Sequence, residues 1–101
     1  MNITTTANGN ELTIILEGRL DTTSAPELEA ALGTKLDEVN HLIFEFEGLR
    51  YISSAGLRVL LSFQKKMNAK EGTMVIKHAN EMVMEVFDVT GFMDILTIEN
   101  E

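Results

Sequence analysis

Hydrophobic and polar positions alternate in the first part of the chain. Residues 3–7 are rich in Thr, and Leu12, Ile14 and Leu16 recur at every second position. Between these two segments lies Asn8-Gly9-Asn10, and Asn-Gly tolerates the positive φ angles of tight hairpin turns. The pattern predicts two antiparallel strands joined by a hairpin, followed by a loop over residues 18–23.

Apolar spacings of three and four predict three helices further along the chain. The first begins with a capping-box pattern from Ser24 to Glu27, with Pro26 in its first turn, and is expected to end before Asn40. A second helix is predicted over residues 56–69. A third is capped by Asn80 and stops at Gly91.

Short β-prone segments separate these helices. Strands are predicted over residues 41–46, 73–77 and 95–98, and residues 48–54 are predicted to form a loop. The resulting order, β-β-α-β-α-β-α-(β), is typical of an α/β fold. We therefore expect a single domain over residues 1–101. Its mixed sheet opens with an antiparallel hairpin and continues through right-handed β-α-β crossovers, with the helices packed on the sheet.

Composition narrows the class of protein. The chain has 101 residues, 45% of them hydrophobic, with 16 acidic against 8 basic residues and no Cys. One modest core is expected at this length, and disulfides and thiolate metal sites are excluded. The net charge of −8 argues against binding nucleic acid. There is no pattern of a secretory signal and no apolar run of about 20 residues, so a cytoplasmic protein that does not enter the membrane is expected.

Candidate chemistry is sparse. The sequence lacks a Gly-x-Ser-x-Gly motif, a Gly-rich phosphate loop and a recognisable metal-binding spacing. Its two imidazoles, His41 and His78, each lie beside a predicted strand end, where a solvated or capping role is common. We therefore expect no catalytic residue, no metal and no cofactor.

The segment over residues 49–61 is more informative. Ser53 and Ser54 fall at the junction between a strand and the second helix, where hydroxyl oxygens often cap unpaired N–H groups. One interpretation is that both serines are caps. The other is that one hydroxyl is a phosphorylation switch, since a helix N-terminus tolerates the added anion.

Three motifs in register carry a resemblance to a known family. Tyr51-Ile-Ser-Ser-Ala-Gly-Leu57 resembles the signature of STAS domains, in particular the stand-alone bacterial anti-sigma-factor antagonists. Gly18-Arg-Leu-Asp21 with the helix at Pro26 is similar to the first loop of the family, and Val86-Phe-Asp-Val-Thr-Gly-Phe92 to its C-terminal helix end. The resemblance covers essentially the whole chain.

The resemblance implies a mechanism. Such antagonists bind an anti-sigma factor when they are unphosphorylated. The anti-sigma factor is often a serine kinase of the histidine-kinase-like ATPase fold. The kinase inactivates them by phosphorylating a serine, and a metal-dependent Ser/Thr phosphatase reverses the step. By position, Ser54 matches the phosphoacceptor. Ser53 stands where many members have Asp and is a second candidate. Asp21 matches an acidic loop residue that contributes to partner contact, although a simple turn residue is equally compatible with the sequence.

The second helix offers a candidate binding face. Its apolar positions span an arc of roughly 200°, wider than the ~100° that a core-facing stripe requires, and four of the eight basic residues lie on or next to it. Either the helix is well buried with a basic edge, or its margin at Arg58 and Val59 meets a partner. The predicted partner-binding residues are Asp21, Thr22, Ser53, Ser54, Gly56, Leu57, Arg58 and Val59.

Two other functions remain open on sequence grounds. A nucleotide-sensing or scaffolding STAS module would form a pocket from the loops at Asp21 and Ser54. An enzyme would rest only on the available Ser, His and Asp side chains. The expected oligomeric state is a monomer that forms hetero-complexes.

Overall fold

A five-stranded sheet with the spatial order β1-β2-β3-β4-β5 forms the centre of the computed structural model, which describes residues 1–99. The strands β1 and β2 are antiparallel, and all the other neighbours are parallel. The strands are β1 (Asn2–Asn8), β2 (Glu11–Leu20), β3 (His41–Ile52), β4 (Thr73–Lys77) and β5 (Thr97–Glu99). This confirms the predicted mixed α/β sheet. The predicted domain over residues 1–101 ends two residues outside the described range.

Three α-helices connect these strands. They are α1 (Ala25–Leu32), α2 (Ser54–Ala69) and α3 (Glu81–Thr90), and two 3-10 helices follow α1 and α3 at Gly33–Glu38 and Phe92–Asp94. None of the helices in residues 1–99 is long and apolar enough to cross a membrane.

The core lies on one face of the sheet. The parallel register aligns Ile14 with Phe44 and Ile76, all fully buried. Helix residues join this layer in one cluster, and the rings of Phe44 and Phe63 stack with centroids 5.9 Å apart. The strand residues on the opposite face, such as Ile43 and Val75, are only half-buried. The sheet is therefore covered mainly on the side that carries the helices.

Strand β3 is longer than the sequence pattern predicted. The predicted end after Phe46, with a loop over residues 48–54, was wrong, because β3 continues to Ile52. Two register shifts against β2 each place an extra residue in β3, which is the arrangement of a β-bulge. The buried positions consequently change from a spacing of two to a spacing of three, at Phe46, Leu49 and Ile52, and the alternation that marks a strand disappears.

Other element ends also differ from the predictions. Strand β2 runs through Leu20, so the predicted loop at residues 18–23 begins later. Helix α1 ends at Leu32 and gives way to the 3-10 turn. Helix α2 begins at Ser54, two residues before its predicted start. The last strand is displaced to Thr97–Glu99, because Leu96 N–H still donates to the Phe92 carbonyl of the preceding 3-10 turn.

Candidate functional site

The carboxyl ends of β2 and β3 bring the two predicted loops together. Leu20 and Ile52 are neighbours in the parallel register, and the Ser53 N–H donates to the Leu20 carbonyl at 2.9 Å. The chain leaves these strand ends at Asp21 and Ser53. Binding sites of open α/β sheets typically lie at the carboxyl ends of strands, and the candidate residues converge at this end of β2 and β3.

Ser53 is the N-cap of α2. Its backbone is extended (φ −103°, ψ 177°), its carbonyl accepts from Leu57 N–H at 3.0 Å, and its Oγ accepts from Gly56 N–H at 3.5 Å. The side-chain bond is at the long end of the hydrogen-bond range. The cap interpretation of the sequence is thus confirmed for Ser53.

Ser54 has different surroundings. It is the first residue of α2, and its side chain is exposed. Within residues 1–99 its hydroxyl has no hydrogen-bond partner, so it does not act as a cap. The hydroxyl is accessible to a second protein and is attached to a helix end that favours negative charge.

Gly56 allows α2 to begin this close to the sheet. A Cβ atom at this buried position would lie 2.8 Å from Leu20 Cγ, 2.9 Å from Ile52 Cγ1 and 3.0 Å from the Leu20 carbonyl oxygen. These separations are shorter than van der Waals contact, so any side chain would push the first turn of α2 away from β2 and β3.

Asp21 caps the turn that leads into α1. Its Oδ1 accepts from the N–H groups of Thr23 at 3.0 Å and Ser24 at 3.1 Å, and Ser24 Oγ accepts from the Asp21 N–H at 2.9 Å. This is a reciprocal capping box. The predicted capping box from Ser24 to Glu27 was wrong, because the Ser24 side chain makes no cap bond to the first turn of α1. Ser24 is instead the second residue of the box that begins at Asp21. Ser24 is itself buried and donates its hydroxyl hydrogen to the Arg19 carbonyl at 2.6 Å.

The same contacts set the charge of Asp21. The Ser24 backbone N–H, helped by the Thr23 N–H and opposed by partial desolvation, lowers the pKa of the Asp21 carboxyl below its ordinary value of 3.8. Arg19 contributes through its Nε, 3.8 Å from Asp21 Oδ2, while its guanidinium carbon lies 4.2 Å from the centroid of the Tyr51 ring. Asp21 is therefore a fixed negative charge at neutral pH.

A shallow groove runs between α1 and α2 next to Ser54. We call it the α1–α2 groove; it is lined by Thr22, Ala25, Pro26, Glu29, Ala55, Arg58, Val59 and Ser62. Thr22 and Arg58 are exposed, whereas Val59 is only 6% exposed. The predicted residues Thr22, Arg58 and Val59 thus share one surface. Pro26 and Glu29 were not predicted, because nothing in the local pattern of α1 marks them apart from ordinary exposed helix positions.

Two further predicted partner-binding residues lie beneath that surface. Gly56 and Leu57 are buried, so they set the position of α2 and offer little area of their own. The basic edge of α2 is also smaller than its composition indicated. Arg58, Lys65 and Lys66 are exposed, but Lys70 Nζ donates to the carbonyls of Leu36 and Val39, both at 2.7 Å.

Both histidines are engaged at the surface. His41 Nδ1 lies 2.7 Å from Thr73 Oγ1, and His78 Nδ1 lies 2.7 Å from Glu45 Oε1. The ligand atoms of Glu45, Glu47 and His78 all lie within 4.8 Å of one another. This proximity was not visible in the sequence, since Glu45 and Glu47 lie within β3 whereas His78 directly follows β4. Exposed groups of this kind are common without a metal, and here Glu45 and His78 form a hydrogen bond with each other.

Comparison with known proteins identifies relatives along the full length of the fold. The family model described as "STAS domain" matches residues 2–101. BtrV of Bordetella bronchiseptica is 35% identical over 86 residues, which cover 84% of this chain and 74% of that protein. The anti-sigma-B factor antagonist of Bacillus subtilis is 26% identical over 98 residues, covering 97% of this chain and 90% of its own length.

Solved structures show the same fold. The Bacillus protein SpoIIAA in its phosphorylated form superposes with a TM-score of 0.78 at 20% identity, over 99% of this chain and 93% of that one. Its unphosphorylated form, an anti-sigma factor antagonist, gives a TM-score of 0.79 at 18% identity, over 99% and 89% of the two chains. These named relatives are regulators and not enzymes, in agreement with the expectation from the sequence. The match of the family model over residues 2–101, on a chain with this sheet order and these helices, shows that the chain belongs to the STAS domain family.

Proposed function

We propose that this chain is an anti-sigma-factor antagonist whose binding is switched by phosphorylation of Ser54. The observation that carries the proposal is the exposed Ser54 hydroxyl, without a hydrogen-bond partner within residues 1–99, on the first turn of α2. The anti-sigma-B factor antagonist of B. subtilis supports the antagonist part of the proposal. SpoIIAA, which has been solved with and without phosphate, supports the switch.

The partner in this proposal is a cytoplasmic anti-sigma factor that is also a serine kinase of the histidine-kinase-like ATPase fold. It transfers the γ-phosphoryl group of ATP to Ser54 Oγ: the bond to the β-phosphate breaks, ADP leaves, and the hydroxyl loses its proton. A metal-dependent Ser/Thr phosphatase hydrolyses the resulting ester to serine and inorganic phosphate. The chain itself supplies an acceptor oxygen and a binding surface.

The position of Ser54 makes such a switch compatible with the fold. A phosphoryl group adds about −1.5 to −2 charges, and the unpaired N–H groups at the start of a helix favour an anion. Stability should therefore change little. Arg58 lies four residues further along α2 and is also exposed, so a phosphoryl group on Ser54 stands on the same helix side as this guanidinium.

The position of Arg58 on the same side of α2 as Ser54 explains how one phosphate would affect a larger surface. Arg58 lines the α1–α2 groove together with Thr22 and Val59. A phosphoryl group that pairs with Arg58 would remove this cation from the partner and add negative charge at the carboxyl ends of β2 and β3, the end of the sheet that also carries the ionised Asp21. Repulsion of an acidic partner surface, or loss of a bond to Arg58, then weakens the complex.

The test uses a candidate kinase of this fold from the same genome. After incubation with ATP, peptide mass spectrometry should find phosphate on the peptide that contains Ser54, also in Ser53→Ala, and not in Ser54→Ala. Phosphate at another residue would contradict the assignment of the acceptor.

Calorimetry tests the consequence for binding. Ser54→Ala should bind the kinase like the unmodified chain, and Ser54→Asp about tenfold or more weakly, a change of about 1.4 kcal/mol. Thr34→Asp, on the exposed 3-10 turn after α1, is the control for added charge and should bind normally. Equal affinities of Ser54→Ala and Ser54→Asp would refute the electrostatic switch.

No specific observation favours the alternative of a nucleotide-sensing or scaffolding module. The α1–α2 groove carries one cationic side chain, Arg58, and one acidic side chain, Glu29. Nucleotide titration of the unmodified chain distinguishes this alternative from the antagonist.

A further inference from the structure

The exposed apolar side chains of the molecule are concentrated in one segment. Within residues 1–99 the exposed large hydrophobic residues are Met82, Val89, Met93 and Ile95, with 54%, 74%, 41% and 45% of their surface accessible. Met82 and Val89 lie on α3, Met93 lies on the 3-10 turn that follows it, and Ile95 comes directly after that turn. Single exposed apolar residues scattered over a surface are ordinary, but a cluster of them typically marks an interaction site.

The helical members of this cluster share one side of α3. At about 100° per residue, Met82, Val86 and Val89 fall within an arc of about 60°. Val83 and Phe87, which are fully buried and attach α3 to the core, lie on the neighbouring side, and the half-buried Val86 packs against the core at the border between the two sides. The apolar surface of α3 therefore extends as a stripe from its core-facing side past Val86 to Met82 and Val89, which are turned to solvent.

Acidic residues flank the stripe. Glu81, Glu85, Asp88 and Asp94 are all exposed. No Lys or Arg occurs in the sequence after Lys77, so no cation within this segment neutralises them. The combination of exposed apolar side chains with unopposed negative charge is confined to this part of the described molecule.

Helix α3 is capped at both ends and bonded to the sheet at its start. Asn80 Oδ1 accepts from Val83 N–H at 2.8 Å, while its Nδ2 donates to the Leu49 carbonyl of β3 at 3.0 Å. At the other end Gly91 has φ +80°, a left-handed cap that stops the helix. A partner would meet a preformed platform and would not have to order it first.

We propose that this α3 face, formed by Met82, Glu85, Asp88, Val89, Met93 and Ile95, docks a basic amphipathic helix of another protein. The apolar stripe matches the apolar side of such a helix. The flanking carboxylates match its Lys and Arg residues. Two Met side chains add a surface that adapts to different partner shapes.

Charge also selects between possible occupants. A second copy of this chain would bring two identical acidic borders together, and like charges across an interface are unfavourable. An anionic membrane surface would repel the same carboxylates. The α3 face contains none of the residues of the α1–α2 groove or the Ser54 loop, so it is a site separate from the proposed phosphorylation switch.

The test uses a fluorescent Leu–Lys peptide of about 16 residues, long enough to form a helix, with its leucines on one side. A Leu–Glu peptide with the same leucine pattern is the control. Fluorescence anisotropy should show binding of the Leu–Lys peptide only, and amide chemical shifts should change along α3. Met82→Gln with Val89→Ser removes the apolar stripe at exposed positions and should abolish binding, while circular dichroism confirms the fold.

Two matched double variants distinguish binding of the Leu–Lys peptide at the α3 face from its general attraction to a chain of net charge −8. Glu85→Gln with Asp88→Asn should weaken binding about fivefold. Asp37→Asn with Glu38→Gln removes the same charge at exposed positions elsewhere and should change it less than about twofold. Equal weakening by both pairs would overturn the proposal. The proposal would also be overturned if sedimentation showed that the unmodified chain is a dimer and that Val89→Ser is a monomer, because the face would then bind a second copy of the chain. Binding by Ser54→Asp should match the unmodified chain, so failure here and failure of the proposed switch are distinguishable.

Discussion

Ser53 and Ser54 are adjacent but play opposite parts in the start of α2. Ser53 Oγ accepts the Gly56 N–H at 3.5 Å, whereas the Ser54 hydroxyl is exposed and has no hydrogen-bond partner within the described chain. The structural role of the pair therefore belongs to the first serine, and the second is free for another task.

This division predicts a difference in stability. Ser53→Ala should lower the free energy of unfolding by about 0.5–1 kcal/mol, since a lost N-cap costs that much and the bond here is long. Ser54→Ala should change it by less than about 0.5 kcal/mol, as expected for a surface site without partners. Urea denaturation of both variants measures the difference. An equal loss in the two variants would mean that Ser54 also supports the helix.

Gly56 gives a second prediction at the same helix start. Gly56→Ala places a methyl group 2.8 Å from Leu20 Cγ and 2.9 Å from Ile52 Cγ1. Overpacking of this kind costs about 1–3 kcal/mol. The midpoint of urea unfolding should fall accordingly, with Ser54→Ala as the control for an added alanine in the same turn. Unchanged stability would indicate that α2 can move outward without loss.

The strands of the sheet show which elements a local sequence pattern can predict and which it cannot. The hairpin and the strand over residues 73–77 follow local patterns, the turn at Gly9 and an apolar alternation, and both were confirmed. The second half of β3 was missed because its bulges change the spacing of buried residues at Leu49 and Ile52. A bulge depends on the neighbouring strand, and one strand's own pattern does not contain it.

The candidate site shows the same limit. Ser53 as a cap followed from the position of a hydroxyl before an apolar helix. The cap formed by Asp21 and Ser24 was not predicted, because the pattern Ser24-Ala-Pro-Glu27 also fits a capping box. In the structure Ser24 bonds to Asp21 instead. The α1–α2 groove depends on how two helices pack, so residues such as Pro26 carried no signal in the sequence.

Ionisation of Asp21 gives a pH-dependent prediction. The Ser24 N–H lowers the pKa of this carboxyl in the folded chain below 3.8, its ordinary value. The stabilisation by the charged form is therefore complete above about pH 4 and is lost as the pH falls through the lowered folded pKa. Asp21→Asn keeps an oxygen acceptor but cannot ionise, so it should be less stable than the unmodified chain at pH 7.

The difference between these two proteins should shrink as the pH falls below about 4 and through the lowered folded pKa. Urea unfolding at several pH values measures it, and Asp37→Asn, at an exposed carboxyl without a hydrogen bond in the described chain, corrects for effects common to surface acids. A constant difference between the Asp21 variant and the unmodified chain would contradict the role of the charge.

Lys70 supports the opposite end of α2. Its Nζ donates to the carbonyl oxygens of Leu36 and Val39 at 2.7 Å, and so joins the end of α2 to the turn before β3. Lys70→Met keeps most of the side-chain length but leaves both carbonyls without this donor, and should cost about 1–3 kcal/mol. Lys66→Met, an exposed lysine on the same helix, is the control and should change stability by less than about 0.5 kcal/mol. If urea denaturation gave equal values for both variants, Lys70 would belong to the exposed basic edge of α2, as its place in the sequence indicated, and would be available to a partner.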